Sequence, residues 1–376
     1  MAKKNGNGEG GITRHKKSGL YMARYTVQTP TGPKRKTVYA KTRREVDEKL
    51  TRAKADRDKG LLFDADSLKV GRYLERWLAD SVRDTVKATT YESYERLMRL
   101  HLVPALGRVK LKNLTPTHVR GLYREKLDSG LSPSSVQRVH ALLHKALKQA
   151  VNDGLVPRNV TEAVKAPKQS RKEISALTRE QARVFLEATK GDRLETLYVL
   201  AIHTGLRQGE LLGLNWDDVT LDRGTLQVRR ILSAAKDGPI FTTPKNNQGR
   251  SVRLTVQAVQ ALRDHRKRQV EDRLRRAGLW QDHGLVFTTL VGTPLNRHNV
   301  FSRSFKPLLR RTSLPDIPFH ALRHSFATLM LAGGEHPKVV QEMMGHSGIR
   351  VTMDFYSHVL PDMQKGAVDR LGAMLS

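Results

Sequence analysis

The spacing of apolar residues changes from segment to segment along this chain, and each change marks an expected element. Residues 1–12 are rich in Gly, Asn and Lys with no spaced apolar positions, which predicts a flexible start. LYMARYTV (20–27) and RKTVYA (35–40) are β-branched and aromatic, and TPTGP between them supplies a turn, so a hairpin is expected. A helix follows from about Thr42 to Lys59. The period then becomes helical. Val70, Tyr73, Leu74, Trp77 and Leu78 mark one helix; Tyr91, Tyr94, Leu97, Met98 and Leu102 mark a second. A third opens where Thr115 caps ahead of Pro116, and a fourth at Ser132-Pro133, with Val136, Val139, Leu142, Leu143, Leu147 and Val151 on its apolar face. Four such helices predict a bundle over 66–166. APKQSRKE (166–173) breaks the period, and a basic linker is set at 167–176. Residues 177–376 read as mixed: helices at about 178–190 and 193–203, strands TLQVRRI (225–231) and RSVRL (250–254), then further helices.

Length and charge sharpen this outline. The chain has 376 residues, 38% of them hydrophobic, enough for two or three cores. Lys and Arg number 67 against 37 Asp and Glu, a formal charge of +30, and nucleic acid is the commonest partner for such an excess. Through residue 65 the count is 17 basic against seven acidic, an excess of ten. A small basic sheet of this kind can enter a DNA groove, which makes Arg24, Lys34, Arg35 and Lys36 candidate contacts. Arg96, Arg99, Arg138 and Lys145 are the corresponding candidates in the bundle, among other basic residues such as His140. With no cysteine, disulfides, thiolate catalysis and cysteine-based zinc sites are excluded. No window reaches the ~18 apolar residues of a membrane span, so the cytoplasm or nucleoid of a bacterial cell is the expected location.

Two polar clusters carry candidate chemistry. In PFHALRHSFAT (318–328), His320 shares a helical face with Arg323 and His324. Two histidines at that spacing can hold zinc, but Ala321 stands where a metalloprotease motif needs Glu, and Arg323 repels a cation. In HTGLRQGELLGLNW (203–216), Gly205 ends one helix, Arg207 opens another, and Glu210 can pair with Arg207.

Taken with three further words, these clusters resemble the tyrosine recombinases, the phage-type integrase family. The matching words are TGLRQGEL with Arg207, HALRH with His320 and Arg323, GHSG with His346, and TMDFYSHV with Tyr356. Lys245 in TTPKNNQGRSVRL lies between two strands, where the family keeps its catalytic lysine; Lys236 is the alternative. The resemblance covers roughly 66–376 and departs from the pattern at Ser347-Gly348, where Ser-Ser is common. It implies a multidomain, mainly α fold with small β-sheets. An arm-type DNA-binding domain (13–65) of three strands and a helix would precede a four-helix core-binding bundle (66–166) and a mixed α+β catalytic domain (177–376), bundle and catalytic domain gripping opposite sides of the duplex.

The same resemblance implies an enzyme that cuts and rejoins DNA strands without metal or ATP, and therefore without a cofactor. Arg207 and Arg323 would clamp the phosphate oxygens, where fixed positive charge opposes the charge built in the transition state. His320 and His346 would add hydrogen bonds or accept a proton. Tyr356 would be the nucleophile, Lys245 would protonate the leaving 5′-oxygen, and Glu210 would support Arg207. The implied partners are core-type and arm-type attachment sites on duplex DNA, three further protomers in a tetramer, a host DNA-bending protein and a directionality factor. An apolar stripe in the tail (Val368, Leu371, Met374, Leu375) would pack on a neighbouring protomer or on its own domain. The rival readings are a type IB topoisomerase, a non-catalytic DNA-binding protein and a metal hydrolase. His324, beside the motif, is expected to be structural.

Overall fold

The computed structural model describes residues 11–16, 18–29, 32–58, 67–168, 176–235, 238–243, 249–345, 348–349, 372 and 374–375. The chain divides into two compact units, Met1–Arg171 and Lys172–Ser376. Of the expected flexible start, residues 1–10 lie outside the described set; Ile12, however, already opens a strand, β1 (Ile12–Arg14). β2 (Tyr21–Thr29) and β3 (Gly32–Ala40) form the expected hairpin, paired antiparallel from Tyr21 with Ala40 to Thr29 with Gly32, and β1 joins β2 to make three strands. Strand alternation turns Ala23, Tyr25 and Ala40 to one face, where they pack with Val46, Leu50 and Ala53 of α1 (Arg43–Asp58).

The rest of the first unit is helical. α2 (Val70–Trp77) widens into a π-helical turn over Leu78–Val82. α3 (Ala88–Leu97) runs through a second π turn, Met98–Leu102, into the short α4 (Val103–Leu106). α5 (Pro116–Asp128) and α6 (Pro133–Asn152) begin where the proline and cap spacing puts them. Thr115 accepts the His118 N–H and Ser132 that of Ser135, each satisfying an N–H that the first turn leaves open. The expected apolar faces of α2 and α6 are buried, with two departures in the bundle. Tyr91, Tyr94 and Leu97 are only half-buried, and so is Val151 in the last turn of α6. Tyr94 stacks on Trp77 at 6.5 Å and lies under the Lys145 ammonium at 5.3 Å, so its ring serves as a boundary between core and surface.

In the second unit α7 (Arg179–Ala188), α8 (Glu195–Thr204) and α9 (Gln208–Leu212) precede five strands. β4 (Val219–Thr220), β5 (Thr225–Val228) and β8 (Arg250–Arg253) make one antiparallel sheet in that order, while β6 (Ile231–Ala235) and β7 (Gly238–Thr242) pair as a separate hairpin. TLQVRRI is therefore two strands in two sheets, not one. The break falls at Arg229 and Arg230, which turn towards buried Asp218 at 3.5 and 3.4 Å. α10 (Val256–Arg275), α11 (Arg297–Asn299), a π turn at Val300–Phe305 and α12 (Lys306–Arg311) follow, then α13 (Ala321–Ala332) and α14 (Pro337–Met344). Phe185, Tyr198, Phe287, Phe305 and Leu322 anchor the core between α8 and its neighbours. Among the described residues no helix is long and apolar enough to cross a membrane. Of the linker, residues 169–175 lie outside the described set, as do Val368 and Leu371 of the tail stripe; Met374 and Leu375 are each 80% exposed.

Candidate active site

α8 stops at Gly205, whose φ of 62° is left-handed and suits a residue without a side chain. A Cβ there would collide with the Phe326 ring, so this turn and α13 lie in direct contact. Two residues later Arg207 takes extended backbone and opens α9. α9 rests on the β6 backbone, and a Cβ at Gly209 would come within 2.7 Å of Ile231.

Glu210, one turn into α9, is 1% exposed. Each of its oxygens accepts two bonds. Oε1 takes Arg207 Nη1 (2.9 Å) and Arg250 Nη1 (3.1 Å); Oε2 takes the Arg207 backbone N–H (3.0 Å) and Arg250 Nη2 (2.7 Å). Burial alone would raise its pKa, but the Arg250 hydrogen bond and charge, with those of Arg207, hold it below the ordinary carboxylate value. The expected Arg207–Glu210 pair is thus present, with Arg250 as a second cation on the same carboxylate.

Arg323, from the first turn of α13, is 2% exposed. Its Nη1 donates to the Gly205 carbonyl (2.6 Å) and its Nη2 to that of Met344 (2.7 Å). Burial, and after it the charges of Arg207 and Arg250, push it down to about 9, so it is still a cation at neutral pH. Arg207, with 35% of its side chain exposed, donates from Nη2 to the Gly345 carbonyl at 3.3 Å. The two arginines that the sequence places more than a hundred residues apart therefore bond to consecutive carbonyls.

His320 stands at the N-cap position of α13 without a capping hydrogen bond and is an exposed residue, but its ring meets that of His324 edge-on, with centroids 4.8 Å apart. Desolvation on its packed side, then the positive Arg323, Arg207 and Arg297, push it down to about 4. It is therefore neutral at pH 7 and available as a hydrogen-bond donor or proton acceptor. His324 is buried and likewise pushed down to about 4, by burial, His320 and Arg323.

Lys245, its alternative Lys236, His346 and Tyr356 lie outside the described residues. In chain order Lys245 falls between β7 and β8, and His346 follows Gly345, which closes α14 at a left-handed φ of 64°. Among the DNA-binding candidates, Arg24 and Arg35 are exposed and share the face of the N-terminal sheet opposite α1; Lys36 pairs in register with Tyr25 and is half-buried. Lys34 pairs with Val27, and its side chain is outside the described set. Arg96, Arg99, Arg138 and Lys145 are exposed on the bundle, whereas His140 is half-buried and bonded to the Tyr123 hydroxyl at 2.5 Å.

Sequence reasoning missed Arg250 and Arg297. Arg297 exchanges bonds with Gln208, the residue after Arg207, donating from Nε (3.1 Å) and accepting at its carbonyl (3.2 Å). Neither arginine carries a local signal, because each partner is 40 or more residues away.

Residues 173–363 match the phage integrase family, and residues 69–127 match the phage integrase N-terminal SAM-like domain. A tyrosine recombinase XerC-like protein of Caldanaerobacter subterraneus subsp. tengcongensis is 30% identical over 357 residues, covering 90% of this chain and 91% of the relative. An integrase of Streptomyces ambofaciens is 31% identical over 382 residues, 98% of this chain and 97% of its own. The fold is like that of the Tn1549 transposon integrase solved in complex with transposon right end DNA, with a TM-score of 0.70 and 23% identity across 81% of this chain and 99% of that one. From the match over its second half and the relative that aligns across nine-tenths of both chains, this chain belongs to the phage integrase family, the tyrosine recombinases.

Proposed function

We propose that this recombinase binds paired attachment sites, cuts one strand of each through Tyr356 and rejoins each end to the partner duplex, integrating or excising a mobile element. The observation that carries the reading is the charge balance of the described site: Arg207 and Arg250 share the carboxylate of Glu210, Arg323 is close enough to feel all three charges, and His320 beside them is neutral. Such a surplus of fixed positive charge suits a phosphodiester whose negative charge grows in the transition state. Tyr356 Oη would attack phosphorus and the P–O5′ bond would break, leaving a 3′-phosphotyrosyl link. Lys245 would supply the proton to the 5′-oxygen, and His320 or His346 would take the one from the phenol. The link conserves the bond's free energy, so rejoining needs neither ATP nor a metal.

Two duplexes cut on both strands need four cuts, hence four protomers. Residues 13–65 would bind arm-type DNA through Arg24 and Arg35, and 66–166 would bind the core site through Arg96, Arg99, Arg138 and Lys145. Residues 167–176 would link them to the catalytic region, 177–376. Host DNA-bending and directionality proteins would act in the bacterial cytoplasm alongside it.

The test uses a pool of nicked duplexes with randomised sequence, incubated with the chain in excess EDTA and recovered as SDS-stable adducts. The captured sequence, placed on two distinguishable duplexes, is expected to yield exchanged strands. No adduct in EDTA contradicts the metal-free chemistry, and resealing without exchange contradicts recombination in favour of a topoisomerase.

A further inference from the structure

Three consecutive carbonyls at the end of α14 each receive a different guanidinium. Arg250 Nε donates to Met343 (3.0 Å), Arg323 Nη2 to Met344 (2.7 Å) and Arg207 Nη2 to Gly345 (3.3 Å). These carbonyls form the negative end of the helix, so three cations there are favoured by its dipole as well as by the hydrogen bonds. The next residue is His346.

Arg250 joins this helix end to the rest of the site. It is the first residue of β8, on the far side of the connection that carries Lys245. Only 14% of its side chain is exposed, and its two Nη groups take one oxygen each of Glu210 in the bidentate geometry specific to guanidinium. Space for it is left by Gly345, where a Cβ would lie 2.9 Å from Arg250 Nη1 and 3.0 Å from its Cζ. Glu210 in turn holds the backbone and the side chain of Arg207.

Building on the proposed phosphate chemistry, we infer that Arg250 is a positioning residue for cleavage: by occupying half of Glu210's acceptor capacity it keeps the Nη2 side of Arg207, whose side chain is 35% exposed, turned away from Glu210 and towards the scissile phosphate. The physical reason is competition. A buried carboxylate binds whatever donors are present. With Arg250 in place, Glu210 needs only Nη1 and the backbone N–H of Arg207, and the Nη2 of Arg207 reaches the Gly345 carbonyl. Without Arg250, Glu210 draws the whole Arg207 fork onto itself and away from the phosphate, and α14 loses its Met343 anchor beside His346.

The test compares Arg250→Lys with wild type on the nicked duplex captured by the wild-type chain. Lysine keeps the charge but cannot bond both oxygens of Glu210 and the Met343 carbonyl together. The expected result is a fall of about ten-fold or more in single-turnover cleavage at a temperature well below both thermal midpoints, with DNA affinity within about two-fold. A second comparison places Arg250→Lys on Glu210→Gln. With no carboxylate to recapture Arg207, the further loss of rate is expected to be clearly smaller than in the wild-type background. A wild-type cleavage rate in Arg250→Lys overturns the inference. So does a rate loss matched by lost affinity, or full additivity with Glu210→Gln. Absence of any adduct with the wild-type chain instead overturns the recombinase chemistry itself, so the two failures are distinct.

Discussion

Glu210 accepts four N–H donors from two arginines while almost wholly removed from water. Removing it leaves Arg207 and half-buried Arg250 with no carboxylate, and breaking a buried ion pair from one side costs about 3–5 kcal/mol. Glu210→Ala is therefore expected to lower the stability of the second unit by that order in denaturant titration; a loss below about 1 kcal/mol contradicts the clasp. The two histidines give a prediction in pH. Both are held down to about 4 in the fold, against 6.5 in the unfolded chain. The unfolded state then binds protons that the fold refuses, so these groups withdraw stability as pH falls from about 6.5 towards 4 and have no such effect above it. The ring resonances of His320 should stay at their neutral positions from pH 7.5 to 5.5, and a midpoint near 6.5 contradicts the electrostatics. In cleavage, His320→Gln is expected to lose about 100-fold or more, as for a group in proton transfer or transition-state hydrogen bonding. His324→Gln should lose less than about ten-fold; equal losses would make His324 part of the chemistry.

At the scale of elements, the site depends on two close approaches at helix ends, Gly205 against Phe326 and Gly345 against Arg250. Gly205→Ala combines a left-handed penalty with overpacking, roughly 2–4 kcal/mol together. An unchanged denaturation midpoint contradicts that packing. The sequence showed the elements whose signals are local. Thr115-Pro116 and Ser132-Pro133 announce α5 and α6, and the pairing of Arg207 with Glu210 could be read because it spans one helical turn. What it hid depends on distance along the chain. TLQVRRI looks like one strand because nothing within it reveals that Arg229 and Arg230, facing buried Asp218, stand between two sheets. Arg250 meets Glu210 across 40 positions, with no pattern linking them. Burial of Arg323 was equally illegible, since its partners are backbone carbonyls that every residue has.

For the whole molecule, the formal charge of +30 favours a polyanion, and the number of phosphates the protein neutralises sets the salt dependence of DNA binding. Each phosphate that the protein ceases to neutralise reduces the slope of log K against log salt by about 0.9. Arg24 and Arg35 share the exposed face of the N-terminal sheet, so the double substitution to alanine is expected to flatten the slope on long attachment-site DNA by about two. Binding to the core site alone should keep its slope. An unchanged slope on long DNA removes the arm-binding role from that face.

The central claim is that the chain breaks DNA by joining it to Tyr356. Tryptic digestion of the SDS-stable adduct, followed by mass spectrometry, reads the attachment directly. The DNA remnant is expected on VTMDFYSHVLPDMQK, bonded through a 3′-phosphate to Tyr356, with no adduct formed by Tyr356→Phe. A remnant on any other residue, or an adduct that survives Tyr356→Phe, contradicts the account.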